Sequence, residues 1–334
     1  MDSHVRAPHP RGNVKTECFP EAPAPRLIPD LRAAYAFARG VVKSSPDTLG
    51  GRSGHRIVFI RKAAFGGVPL VAHPDAFVVV GRHSQCGLVL HDDPFVSLRH
   101  LLVRSVGLPS GKVALRLLDL HTDMGFTLAD GSRQSSVFAE GPVAVGLGEY
   151  AIVALPNESE DDELPNDLPT PVVEELPPRP AGNPYREPAP RSKGSNRLSR
   201  ITLMPMSVVL GSQVPAANLG NLTSSSRWAV TLERKGHTAT VSVTAQDLVG
   251  GVVIGRSEKC ISENLRRITD SCTSRLHVLF LREGEKVHAF DLASTHGISV
   301  EGTVVRHLEV SDHGAVLLLG SGDTAVRCFW RRVA

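Results

Sequence analysis

No run of about 18 apolar residues occurs in this 334-residue chain, so no segment reads as a membrane-spanning helix. The opening residues, MDSHVRAPHPRGNVKTECFP, lack the apolar centre of a signal peptide. The expectation is a soluble, cytoplasmic protein with no membrane partner. Cysteine is scarce: Cys18, Cys86, Cys260, Cys272 and Cys328 are odd in number and contain no CxxC pair, which argues against a disulfide framework and a zinc site. Neither charge dominates. With 37 basic and 34 acidic residues the chain lacks the surplus of a dedicated nucleic-acid binder, so no nucleic-acid partner is expected. Motifs of catalysis and of cofactor binding are missing too. There is no GxSxG, HExxH, GxGxxG or P-loop lysine, and the reading is a protein that is not an enzyme and has no cofactor and no metal.

Proline is absent from residues 226–334, whereas ten of the 24 prolines lie between residues 156 and 190. That stretch is too polar and proline-rich to close a core, and residues 156–225 read as a disordered, Pro-rich linker. It is acidic up to Glu175 and basic beyond it, with Arg186, Arg191, Lys193, Arg197 and Arg200. The first 50 residues hold seven more prolines and one short helical stretch, LRAAYAFARG, so residues 1–54 read as a poorly ordered arm. Two folded domains remain, residues 55–155 and 226–334. Both are built from short runs rich in Val, Ile, Leu and Phe: RIVFIRK, AFVVVGR, LLVRSV and VALRLLDL in one, RWAVTLER, TATVSVT, GVVIGR, HVLFLRE, KVHAFDL and AVLLLG in the other. With few helical stretches between them, SENLRRIT being one, an all-β class with an antiparallel β-sandwich in each half is expected.

The halves repeat one another. VVVGRHSQC (78–86) answers VVIGRSEKC (252–260), VSLRHLLV (96–103) answers TSRLHVLF (273–280), and LDLHTDMGFTLADG (118–131) answers FDLASTHGISVEG (290–302). Each copy runs Gly-Arg, then Ser-x-x-His, then Asp-Leu with a glycine six residues after the Asp. In this order of motifs each half resembles a forkhead-associated (FHA) domain, over roughly residues 55–155 and 226–333. The family signature is Gly-Arg, Ser-Arg-x-His and Ser-x-Asn-Gly-Thr. The resemblance implies tandem β-sandwiches that bind phosphothreonine peptides through loops at one end, and the richness in alanine, arginine and glycine looks bacterial.

Carried over by resemblance, Arg256, Ser274, Arg275, Thr295 and His296 face the phosphopeptide in the second domain, and Arg82 and Ser97 do so in the first. Gly255, His277 and Gly297, with Gly81, His100 and Gly125, support the loops. A phosphate with about −1.5 to −2 charges suits a guanidinium fork. The chain departs from the family at His296, where an Asn is usual, and at Ile298 and Glu301. In the first copy Leu98 stands where Arg275 stands in the second, Arg99 points inward or sideways, and the third loop carries Asp123 and Met124. That domain either binds more weakly or has become a packing module.

Ser274, His277 and Asp291 are also the residue types of a hydrolase triad, but no oxyanion motif accompanies them, and their spacing on an extended strand puts Ser274 and His277 on opposite faces. Cys86 and Cys260 occupy one place in the repeat and read as buried in each core. The leading reading is a non-enzymatic adaptor for a phosphothreonine-containing protein, a Ser/Thr kinase or its substrate. The alternative is a phosphate-independent scaffold that keeps degenerate FHA domains for interaction. Thr170, in LPTPV, is a third possibility as an internal ligand.

Overall fold

A computed structural model describes residues 29–44, 53–62, 64–73, 75–108, 110–157, 164–176, 227–257, 260, 263–269 and 273–333. The apolar runs become strands of two β-sandwiches. In the first, sheet A has the order Ala64–Val71, Gly54–Arg61, Tyr150–Pro156, Val143–Leu147, Phe126–Thr127, Arg133–Gln134. Sheet B faces it, in the order Val172–Val173, Ser136–Ala139, Val113–Asp119, Leu101–Gly107, Phe77–Gly81, Leu88–Val89. The second sandwich repeats this plan. Sheet C runs His237–Thr244, Arg227–Arg234, Val326–Val333, Ala315–Leu319, Ile298–Val300, Thr303–Val305, and sheet D runs Val252–Ile254, Val278–Glu283, Lys286–Asp291, His307–Val310. Strand for strand, C corresponds to A, and the four strands of D to the middle of B.

Alternation along the strands explains how the sandwiches are placed. In sheet B, Val78, Val80, Leu101, Val103, Leu115 and Leu117 point into the first core. Their neighbours Val79, Leu102 and Leu118 point the other way, into an apolar layer completed by Val253, Leu279, Leu281 and Phe290 of sheet D. The opposite face of D packs with Trp228, Trp330 and Cys328 of sheet C, where Trp330 stacks on Phe280 at 4.7 Å between ring centroids. Sheets B and D are therefore buried on both faces, and the layers stack A, B, D, C. Cys86 and Cys260 lie in the layer between the sandwiches instead of in the separate cores. The cysteine four residues after each Gly-Arg pair lies where the two sheets meet.

Polar groups fix the docking. Arg104 is 1% exposed, reaches Glu283 at 2.7 Å and lies 4.7 Å above the Phe290 ring. Arg116 donates to the Val249 carbonyl at 2.9 Å, and His307 meets Asp75 at 3.0 Å. Such groups can be buried here because each finds an acceptor.

Parts of the expected arm and linker are folded. Asp30 caps α1 (Leu31–Ser44) by accepting the Arg32 and Ala33 amides at 3.0 and 3.1 Å. Leu31, Ala34, Tyr35 and Ala38, spaced at one helical face, pack on Val58, Ala151 and Val153 of sheet A. From the linker, Leu164 and Leu168 join the same layer, Tyr35 donates to the Pro165 carbonyl at 2.6 Å, and Val172–Val173 adds an edge strand beside Val137 and Phe138. Thr170 is exposed within this docked segment. The rest of the linker reading, residues 177–225, lies outside the described residues, as do residues 1–28 of the arm.

The docking predicts a specific non-additivity. Glu283→Ala leaves the Arg104 charge without its carboxylate in an apolar layer and costs about 3–5 kcal/mol, whereas the double replacement Arg104→Leu with Glu283→Leu stays near wild type. Denaturant midpoints of these two full-length variants and the wild type measure this.

Candidate functional site

Three loops of the second sandwich converge at one end. The first follows Val252–Ile254 and carries Gly255 and Arg256; the second is Thr273–His277; the third is Leu292–Gly297, between the strands Lys286–Asp291 and Ile298–Val300. Backbone bonds join the first two: the Arg256 amide donates to the Ser274 carbonyl at 3.1 Å and the Ser257 amide to that of Arg275 at 3.0 Å. Gly255 permits this approach, since a Cβ there would lie 2.2 Å from the Arg275 carbonyl oxygen. Its role is close contact, not a special turn.

His277 joins the second loop to the third. It is fully buried, its Nδ1 accepts the Ser274 amide at 3.2 Å, and its Nε2 faces the Gly297 carbonyl at 2.8 Å. An Nδ1 that accepts carries no proton, so Nε2 is the donor and the ring is neutral. Burial, the largest influence, holds its pKa below the ordinary histidine value. Within the third loop, Asp291 accepts the Ser294 amide at 3.1 Å and Ser294 Oγ accepts the Gly297 amide at 2.8 Å. Arg306 holds the other Asp291 oxygen. Ser274 Oγ accepts the Thr295 amide at 3.1 Å, which sets that hydroxyl and Thr295 side by side.

On this braced floor Arg256, Arg275, Thr295 and His296 are exposed and Ser274 is half-buried. Among the described residues, no hydrogen bond or ion pair engages the guanidinium of Arg256 or Arg275. Two free cationic forks beside a hydroxyl make an arrangement suited to a multivalent oxyanion. The triad reading is not supported by the geometry. His277 meets the Ser274 amide and not its hydroxyl, and Asp291 is engaged by Ser294 and Arg306.

The first sandwich keeps the floor and changes the surface. His100 accepts the Ser97 amide at 3.0 Å and faces the Gly125 carbonyl at 2.8 Å, while the Arg82 amide donates to the Ser97 carbonyl at 3.0 Å. Gly81 sits against Leu98 as Gly255 does against Arg275. Arg82, however, is half-buried and donates through Nε to the carbonyl of Val96, next to Ser97 on the second loop. Asp123 is exposed and Met124 half-buried where the second copy has Thr295 and His296.

Arg99 is the residue whose direction sequence reasoning left open. It is 4% exposed and crosses into the second sandwich, where Nε donates to the Leu292 carbonyl and Nη2 to that of Ala293 at 2.5 Å. The signal was the transposition of SRLH into SLRH. Cys86 and Cys260 are buried, with thiol pKa values pushed up to about 11 and about 12 by burial, which makes both poor nucleophiles. Among the described residues no group of three or more His, Cys, Asp or Glu side chains is placed to hold a metal ion, and no helix is long and apolar enough to cross a membrane.

The candidate site lies at the loop end of an antiparallel β scaffold. Residues 252–320 match the family model of the FHA domain, within the second sandwich. Among solved structures, the chain is similar to the FHA-1 domain of Rv1747 from Mycobacterium tuberculosis, with 17% identity, 32% of this chain and 98% of that chain covered, and a TM-score of 0.24. It is similar to the FHA domain of CT664 protein from Chlamydia trachomatis, with 20% identity, 32% and 97% covered, and a TM-score of 0.24. It is also similar to the yeast Dun1 FHA domain, solved in complex with a doubly phosphorylated peptide derived from Rad53, with 11% identity, 38% and 91% covered, and a TM-score of 0.28. A comparison with curated proteins finds no match.

Two outcomes follow from this geometry. Gly255→Ala forces the first two loops apart and lowers stability by about 1–3 kcal/mol, read from the urea midpoint. Acid acts through the buried rings: burial lowers the pKa of His277, and brings His55 and His288 to about 4. Unfolding returns each ring to about 6.5, so the unfolded chain takes up more protons as pH falls. The contribution of these rings is complete above about pH 6.5 and is lost between there and about pH 4, which urea midpoints at pH 7, 6 and 5 check.

Proposed function

We propose that the second sandwich reads a phosphothreonine segment of a partner protein, and that the chain works as a non-enzymatic adaptor in Ser/Thr kinase signalling. FHA domains are phosphothreonine-binding modules, and residues 252–320 carry the match to that family. The observation that carries the reading is the pair of exposed guanidinium groups of Arg256 and Arg275, engaged by none of the described residues, beside the Ser274 hydroxyl on loops locked by His277. In this reading Arg256 takes two phosphate oxygens, Arg275 adds a second charge, and Ser274 and Thr295 supply hydroxyl donors. His296 stands where the family's Asn holds the peptide backbone, and an imidazole N–H can donate in its place while narrowing the groove.

The same reading makes the first sandwich a support and not a second reader. Arg82 is spent on the Val96 carbonyl, and Asp123 puts a carboxylate where a phosphate would lie. Partners are accordingly phosphorylated proteins, a Ser/Thr kinase or its substrate, met in the cytoplasm. The competing reading, a phosphate-independent scaffold, draws on Asp123, Met124 and His296.

Titration of the full chain with a phosphothreonine peptide library and its unphosphorylated twin separates the two. The expected result is a phosphate-dependent interaction that weakens with salt, falls about a hundredfold in Arg256→Ala through loss of two charge-assisted bonds, and is unchanged in Arg82→Ala. Equal binding of both libraries would leave only the scaffold.

A further inference from the structure

We propose that Arg99 of the first sandwich is a positioning residue for the ligand loop of the second, so that docking of the sandwiches and capture of phosphothreonine are coupled. The proposal rests on the reading of the second sandwich given above. Its basis is one buried side chain. Arg99 leaves the Ser97–His100 loop of the first domain, is 4% exposed, and donates to the consecutive carbonyls of Leu292 and Ala293. Those two residues lead directly into Ser294 and Thr295.

The backbone that Arg99 holds is left-handed, as it is at the equivalent His121 of the first copy (φ +58°). Ala293 has φ +53°, a left-handed conformation that costs an alanine about 1–2 kcal/mol. Such a turn persists where its surroundings over-determine it. Two hydrogen bonds from a charged, buried donor do so from one side, and the Asp291 and Ser294 bonds do so from within the loop. Thr295, which lies against Ser274 Oγ, thereby owes part of its placement to contacts made by a different domain.

Comparison of the copies points the same way. Arg275 faces solvent at the second position of SRLH, and Leu276 at the third is buried between the sandwiches. In SLRH the arginine has moved one place, from the ligand side to the docking side. The first copy has thus given up a ligand-facing charge and gained a grip on its neighbour. Linkage then requires reciprocity: a ligand that orders residues 292–297 also strengthens the docking, by the same factor as docking strengthens the ligand.

The test uses the full chain with Arg99→Leu, which installs the side chain of the equivalent position 276, and Arg99→Lys, which keeps one cationic donor. Amide hydrogen exchange is followed without ligand, and affinity is measured with the phosphothreonine peptide library. Arg99→Leu is expected to exchange about tenfold faster at the Ser294, Thr295 and Gly297 amides and to bind about tenfold more weakly, with Arg99→Lys recovering part of both. Unchanged loop exchange in Arg99→Leu overturns the proposal, and so does faster exchange spread evenly over both cores. If the Leu variant binds like wild type while Arg256→Ala does not, the coupling fails and the phosphothreonine reading stands. If wild type has no phosphate preference, that reading fails, and loop exchange alone still decides whether Arg99 positions the loop.

Discussion

A single neutral imidazole sets the geometry on which the site depends. His277 accepts from one loop and donates to another from a fully buried position, and no other side chain combines those roles on one rigid ring at neutral pH. A lysine would bring a charge into the core, and an amide would place its donor and acceptor differently. The spacing between Arg256, Ser274 and Thr295 follows from this ring and from the glycine that lets the first loop touch the second. His100 preserves the same bonds in the first copy, although the residues around it have changed. Scaffold and ligand chemistry have therefore separated: the floor is common to both, and the charges are not.

The second constraint is that sheets B and D each bury both faces. Once those faces meet, any charged side chain at the boundary must find an acceptor across it. Arg99 takes backbone carbonyls, Arg104 takes Glu283, and Arg116, paired with Glu174 on its own side, takes the Val249 carbonyl. This arrangement replaces the picture of two independent modules on a tether. A tether would raise avidity for a doubly phosphorylated partner through effective concentration, whereas docked sheets fix the separation of the two loop ends.

Much of this could be read from the chain and some could not. Short apolar runs between turn residues specify strands locally, the repeated Gly-Arg, Ser-x-x-His and Asp-Leu motifs marked the three loops, and the family resemblance assigned His277 to their support. The docking layer was signalled only weakly: AFVVVGR and HVLFLRE are apolar on both faces, but a continuous apolar run does not name what covers its second face. Arg99 was ambiguous because its acceptors lie 193 and 194 residues away. The helix Leu31–Ser44 had its apolar face at 31, 34, 35 and 38, yet the proline content around it outweighed that spacing. The segment 164–176 was obscured in the same way by its prolines, which are compatible with an extended segment laid on a sheet edge.

The central claim is that one of two similar floors carries a phosphothreonine site. Its most direct test is a nuclear magnetic resonance titration of the full chain with a phosphothreonine peptide, following backbone amides and arginine Nε–H signals together. The account predicts one site per chain, with shifts concentrated at residues 255–257, 274–277 and 292–297 and at the Arg256 and Arg275 side chains. Shifts centred on Arg82, Ser97 and Asp123, or none that depend on the phosphate, would contradict it.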